Sequence, residues 1–200
     1  FGPGAEGCVR IYVSFGTVIW RYYEPAAMAA LGAIAAAFAG REEVRVLMSL
    51  GGVGDAGRAA HLEAPNVRVV YYADQWRVLQ DASVSITHHG LNSTHEAIYH
   101  GVPMVSYPFF SDQPGLAARC QAMGLAFGLT PVLRGPVTAA HVADTVHRAL
   151  AAAPGVQARL AEARGWEIET MARRPAVIRA ILTLARDGGA ASRHPGTSVP

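Results

Sequence analysis

The sequence has no lysine; all 17 of its basic residues are arginine. Schiff-base chemistry and a Walker-type phosphate lysine are therefore excluded within this chain. Only two cysteines occur, Cys8 and Cys120, too few for a disulfide framework or a four-cysteine zinc site. Charge is sparse as well: 16% of residues are charged and the formal net charge is +2. That balance gives no reason to expect nucleic acid or an acidic membrane surface as partner. The longest apolar stretch, Ala26–Ala39, falls short of the roughly 20 residues of a membrane span. No charged segment leads into an apolar one near Phe1, so no signal peptide is expected and a cytoplasmic location is. The motifs G-x-S-x-G and H-E-x-x-H are absent, which leaves a hydrolase elbow and a zinc-protease helix without support.

What remains is a chain of 200 residues, 51% of them hydrophobic. Such a chain buries about 70% of its unfolded surface and needs no covalent staples. Apolar, β-branched runs at Val9–Phe15, Val44–Leu50, Val67–Tyr72, Val84–Thr87, Met104–Tyr107 and Leu125–Leu129 read as strands. Between them lie helical stretches. The first opens at Glu24-Pro25 and stops before Gly40; others cover Arg58–Glu63, Asp74–Gln80, Leu91–His100 and Gln113–Met123. Thr138 suits the cap of a helix to Ala153, and a last helical region runs from Val156 to Arg186, with a kink expected near Pro175. Its Arg173, Arg174, Arg179 and Arg186 read as a solvated face. The strands are continuous apolar runs, not strict alternations. Together with the strand–helix alternation this predicts an α/β fold, a doubly wound, Rossmann-like parallel sheet, with its ligand at the C-terminal strand ends. Residues 1–8 are expected to be a linker remnant, 9–186 one domain, and 187–200 a disordered tail.

Gly52-Val53-Gly54-Asp55-Ala56-Gly57 fits the dinucleotide fingerprint G-x-G-x-x-G. The helix after it has barely two turns before Pro65, too short for a crossover helix. A plain flexible loop is the stronger expectation, and a nicotinamide-dependent oxidoreductase the weaker alternative.

The densest chemistry is Thr87–Ala97, THHGLNSTHEA. A strand ends there in a Gly-containing turn and a helix begins. Asn92, Ser93 and Thr94 fall in the first helical turn, where N–H groups lack partners and the helix dipole is positive. This is a phosphate site made without lysine. His88 at the strand end is placed to donate to a phosphate oxygen, and Glu96 to accept from a ribose diol. Taken alone, the stretch fits an ordinary capped junction equally well. Asp112 and Gln113 follow the next strand beside the same crevice, where a carboxylate and an amide suit sugar hydroxyls. Gln75 lies upstream on the same rim. His88, His89, His95 and His100 cluster without metal-site spacing, and Trp76 reads as a packing residue.

The whole stretch resembles the donor-binding motif of family 1 glycosyltransferases, the UDP-glycosyltransferase group with the GT-B fold. That motif runs W-x-P-Q, then H-x-G-x-N-S-x-x-E, then G-x-P, P and D/E-Q. Here it stands as Tyr72-Ala73-Asp74-Gln75, then His88, Gly90, Asn92, Ser93, Glu96, Gly101, Pro103, Pro108, Asp112 and Gln113. Tyr72 replaces Trp, and Asp74 replaces Pro. Leu116 stands near a position where many members have Asn. The opening YVSFGT also matches the start of the family's C-terminal domain, and bacterial natural-product and macrolide glycosyltransferases look closest.

The resemblance implies the C-terminal half of a GT-B fold. It implies that Tyr72 and Gln75 meet the nucleobase and Glu96 the ribose. Thr17, His88, Gly90, Asn92, Ser93 and Thr94 would hold the diphosphate, and Asp112 and Gln113 the donor sugar. The donor would be a UDP sugar, or a dTDP sugar, and the acceptor a small-molecule hydroxyl. No cofactor is implied, and no metal, since no D-x-D triplet occurs. The general base would sit in a missing N-terminal acceptor domain, with His88 here stabilising the leaving group. A non-catalytic nucleotide-sugar-binding module is the alternative from another class.

Overall fold

The computed structural model describes residues 1–2 and 5–191. Its elements, in order, are β1 (Val9–Ser14), α1 (Ile19–Tyr22), α2 (Glu24–Phe38), β2 (Val44–Ser49), α3 (Ala56–Ala59) and β3 (Val67–Val70). Then come α4 (Gln75–Asp81), β4 (Val84–Thr87), α5 (Leu91–His100), β5 (Met104–Ser106), α6 (Gln113–Ala122) and β6 (Ala126–Gly128). Helices α7 (Ala139–Ala151) and α8 (Ala153–Ala191) follow. Every expected strand is present. The short α1 is an addition: its single turn is too brief to leave a periodic signal, and burial of Ile19 and Trp20 secures it.

The six strands form one sheet in the order β3-β2-β1-β4-β5-β6, and every pairing is parallel. Both faces are covered, which is why the strands are mostly apolar. Alternate residues of β1 serve opposite sides. Ile11 and Val13 join Ile34, Met48 and Ile86 in one cluster, while Tyr12 joins Leu47, Leu79, Met104 and Leu160 in another. Fully burying each such side chain contributes about 1.5–3 kcal/mol.

Local signals set the helix ends. Pro25 lies in the first turn of α2. Past its end, the Gly40 N–H donates to Asn66 Oδ1 at 2.9 Å. Thr138 caps α7, accepting from the His141 N–H at 3.2 Å. Asp74, in the place of the family's proline, caps α4 by accepting from the Arg77 N–H at 3.3 Å.

The chain divides into a unit Phe1–Arg164 and a unit Gly165–Pro200. Within the first, Val156, Leu160 and Ala163 of α8 are buried, one helical face of i, i+4, i+7 spacing. Within the second, α8 continues past Pro175 to Ala191, and Arg173, Arg174, Arg179 and Arg186 are exposed. Residues 3–4 of the expected linker remnant and 192–200 of the expected tail lie outside the described residues.

The strand order has one functional consequence. The chain leaves β1 toward β2 and leaves β4 toward β5, on opposite sides of the sheet. The loops after these two neighbours diverge, and a crevice opens between them.

Candidate functional site

A cleft of about 580 Å³ occupies that crevice. The loop after β1 contributes Gly16 and Thr17, and the loop after β2 contributes Gly51. Tyr72 comes from the β3–α4 loop, and Gln75 and Trp76 from the start of α4; His88, Gly90, Asn92, Ser93 and Glu96 come from the β4–α5 turn and α5. Phe110 and Gln113 complete the wall.

His88 directly follows β4 and is 8% exposed. Its ring lies between two glycines. A Cβ at Gly16 would come within 2.7 Å of His88 Nε2, and one at Gly90 within 2.5 Å. The bare backbone at both positions is what lets the ring reach the cleft. Burial pushes its pKa down to about 4, against weaker upward pulls from the Ser14 backbone and the Asp112 charge. The ring is thus neutral near pH 7, with one N–H to donate. Its Nδ1 is buried and meets no partner at hydrogen-bonding geometry.

Helix α5 begins beside that ring. Gly90 is its N-cap, and no side chain caps the first turn. Orphan N–H groups and the positive end of the helix dipole therefore stand at the cleft. Asn92 and Ser93 add polar side chains to the same wall. One turn on, Gln75 Nε2 donates to Glu96 Oε2 at 2.7 Å and to Ser93 Oγ at 3.1 Å. Residues expected at the base, the ribose and the diphosphate are thereby tied together across α4 and α5. Glu96 keeps a second carboxylate oxygen, and a charged acceptor there suits a pair of vicinal hydroxyls. Tyr72 stands 68% exposed at the mouth. Trp76 packs on Tyr99 and His100, with ring centroids at 4.8 and 4.4 Å, and also lines the cleft.

Two expected site residues lie elsewhere. Thr94 is 3% exposed and turned inward, donating from Oγ1 to the Gly90 carbonyl at 3.1 Å. Its place on the buried stripe Thr94, Ala97, Ile98 explains this, because i, i+3 and i+4 share a helix face. Asp112 is exposed and is not a cleft wall; it acts on His88 through its charge. Gln113 does line the cleft, but its Oε1 accepts from the Phe109 and Phe110 N–H groups at 2.9 and 3.2 Å. Only its NH₂ end remains for a ligand.

Sequence reading missed the floor of the cleft. Ser14 and Ser49 end adjacent parallel strands, and their hydroxyls accept from the Gly16 and Gly51 N–H groups at 3.4 and 3.3 Å. The glycine fingerprint does not line the cleft, and local bonds take up its N–H groups. Asp55 caps α3, accepting from the Gly57 and Arg58 N–H groups at 2.8 and 3.2 Å, so the first turn is already satisfied. Gly54 packs against Trp20, whose ring a Cβ would meet at 2.9 Å. Among the described residues, no three His, Cys, Asp or Glu side chains gather as a metal site, and no helix is long and apolar enough to cross a membrane.

Known proteins share this architecture. A family model described as "UDP-glucoronosyl and UDP-glucosyl transferase" matches residues 2–148. Mouse UDP-glucuronosyltransferase 3A1 is 43% identical over 68 residues, covering 33% of this chain and 13% of that protein. Among solved structures, the calicheamicin glycosyltransferase CalG4 aligns with a TM-score of 0.74 and 27% identity, over 92% of this chain and 45% of that one. The glycotransferase of kitacinnamycin aligns with a TM-score of 0.66 and 29% identity, over 82% of this chain and 40% of that one. The chain thus spans less than half the length of these structures. The six-stranded parallel sheet is that of the C-terminal half of GT-B glycosyltransferases. With the family model matched over most of its length, the chain belongs to the UDP-glucuronosyl and UDP-glucosyl transferase family.

Proposed function

We propose that residues 9–186 are the donor-nucleotide-binding domain of an inverting, metal-independent glycosyltransferase. It moves a sugar from a nucleoside diphosphate sugar, UDP-linked in preference to dTDP-linked, to a hydroxyl of a small molecule. The observation that carries this reading is the uncapped N-terminus of α5 beside neutral His88, one turn from the Gln75–Glu96 pair. A diphosphate fits the first group and a ribose with its base fits the second, along one continuous cleft. A thymidine diphosphate complex of the spinosyn rhamnosyltransferase SpnG, which shares this fold, keeps dTDP open as the donor nucleotide.

In this reading Tyr72 and Gln75 face the base, and Glu96 accepts from the ribose diol. Thr17, His88, Asn92 and Ser93, with the N–H groups after Gly90, hold the diphosphate. Asp112 and the Gln113 amide serve the sugar end. An acceptor hydroxyl, deprotonated by a base in the missing N-terminal domain, attacks the anomeric carbon. The bond to the diphosphate oxygen breaks with inversion. Charge then develops on the leaving diphosphate, where preorganised N–H donors and the His88 N–H stabilise it. Those donors, already oriented in the free domain, take the place of a metal clamp.

Calorimetry of the 200-residue chain against UDP, dTDP and NAD tests this. UDP should bind. Glu96→Ala should weaken UDP by about 1–3 kcal/mol, roughly 5- to 150-fold. It should weaken dTDP less, because dTDP lacks the 2′-hydroxyl. Tight NAD binding without UDP binding refutes the proposal, and sugar transfer by this chain alone refutes the placement of the base in another domain.

A further inference from the structure

We infer that His89, the neighbour of the cleft histidine, is a positioning residue that aims the phosphate-facing end of α5. The inference rests on the proposed nucleoside diphosphate site.

His89 does not touch the cleft; it is fully buried, at 0% exposure. Its φ is +59°, the left-handed region where glycine is favoured and a bulky side chain is strained. A large residue in that conformation calls for something that holds it there. The ring supplies it. His89 Nε2 lies 2.8 Å from Ser106 Oγ on β5, and Nδ1 lies 3.3 Å from Thr94 Oγ1 on α5. The His89 N–H donates to Thr87 Oγ1 at 3.2 Å.

Donor and acceptor roles in this network follow from one fixed point. The Gly90 carbonyl can only accept, so the Thr94 hydroxyl donates to it. Nδ1–H of His89 then donates to Thr94 Oγ1, and Nε2 accepts from the Ser106 hydroxyl. This assignment requires a neutral ring, and burial keeps it neutral, with a pKa of about 4. The result is a directed chain from β5 through His89 and Thr94 to the N-cap carbonyl of α5. That carbonyl also accepts the Thr94 N–H at 3.0 Å, closing the helix's first turn.

His88 and Gly90 flank His89 in sequence. Fixing His89 therefore fixes both the ring that faces the cleft and the start of the helix whose N–H groups face it. Such groups bind an anion best when they are held in place beforehand. The nucleoside end of the cleft, built on Gln75 and Glu96, lies further along α5 and is also held from α4 by the Gln75–Glu96 bond. The Thr94 hydroxyl accordingly acts through the turn and not by contact with the ligand.

The test compares UDP with uridine on the intact 200-residue chain by calorimetry. In His89→Gly the left-handed backbone is unstrained and the ring is gone. UDP affinity should fall about tenfold, and uridine affinity should stay as in the wild type. His89→Asn, which tolerates the same backbone and offers a donor and an acceptor, should recover most of the loss. Ser106→Ala, remote from the cleft, should weaken UDP about fivefold, again without affecting uridine. Unchanged UDP affinity in His89→Gly overturns the inference. So does an equal loss for UDP and uridine, which would mark His89 as a scaffold residue only. Should His89→Gly fail to fold, the UDP-to-uridine ratio of Ser106→Ala decides by the same criterion. A wild-type chain that binds neither UDP nor dTDP refutes the site itself, a separate outcome from either of these.

Discussion

Acidification should unfold this domain in a pH window set by two adjacent histidines. His88 and His89 each have a pKa lowered from 6.5 to about 4, with desolvation the largest cause. In the unfolded chain both titrate near the ordinary value. Between the two values the unfolded state holds more protons than the folded one, so stability falls as pH falls. It is complete above about pH 6.5 and is lost progressively toward pH 4. A lowering from 6.5 to about 4 corresponds to roughly 3 kcal/mol per ring. The two contributions are not additive, because part of the His89 shift comes from the charge of His88. A combined loss of about 3–6 kcal/mol is expected, a large share of the 5–15 kcal/mol typical of a domain. His100, lowered mainly by burial, acts in the same direction. Urea denaturation from about pH 7 down to about pH 4, followed by circular dichroism, measures the effect as a falling midpoint. In His89→Asn the same curve should be shallower, since one titrating ring is gone. A midpoint independent of pH across this window, or an unaltered slope in the variant, would refute the reasoning.

Two further substitutions separate cleft from scaffold. Gly51 has a φ of +66°, and a Cβ there would stand 2.3 Å from the Gly16 carbonyl oxygen. Gly51→Ala should cost about 1–3 kcal/mol in urea denaturation and weaken UDP as well, because the Gly16 loop is a cleft wall. Thr138→Ala removes the cap of α7 and should cost about 1 kcal/mol. It should leave UDP affinity untouched in calorimetry, since no cleft residue lies on that helix.

The sequence by itself determined the elements and the motif. A strand covered on both faces is mostly apolar, so the six apolar runs are visible as strands, and their alternation with helices implies a parallel sheet. The residues from His88 to Glu96 sit on a single strand–turn–helix, so their grouping is local and their spacing alone conveys it. The helix boundaries were equally local: starts at Pro25 and Thr138, and a stop before Gly40.

Only the tertiary structure decided which parts of the chain meet. Placing β1 beside β4 brings Gly16 to His88. Placing β2 beside β1 brings Gly51 to Gly16 and makes the start of the loop after β2 a wall of the cleft. The packing of α4 on α5 joins Gln75 to Glu96, 21 residues apart. These pairings depend on strand order, which apolar pattern does not encode. The direction of individual side chains was partly readable. Thr94 lies on the buried stripe of α5, so helical periodicity carried that signal, although its polar character suggested the cleft. For His89 no such signal existed. A histidine between a histidine and a glycine reads as a packing or a surface residue, with nothing local to choose between the two. Its left-handed backbone and its burial beneath β5 and α5 come from the assembled sheet, where the pairing of β4 with β5 brings Ser106 within hydrogen-bonding distance of its ring.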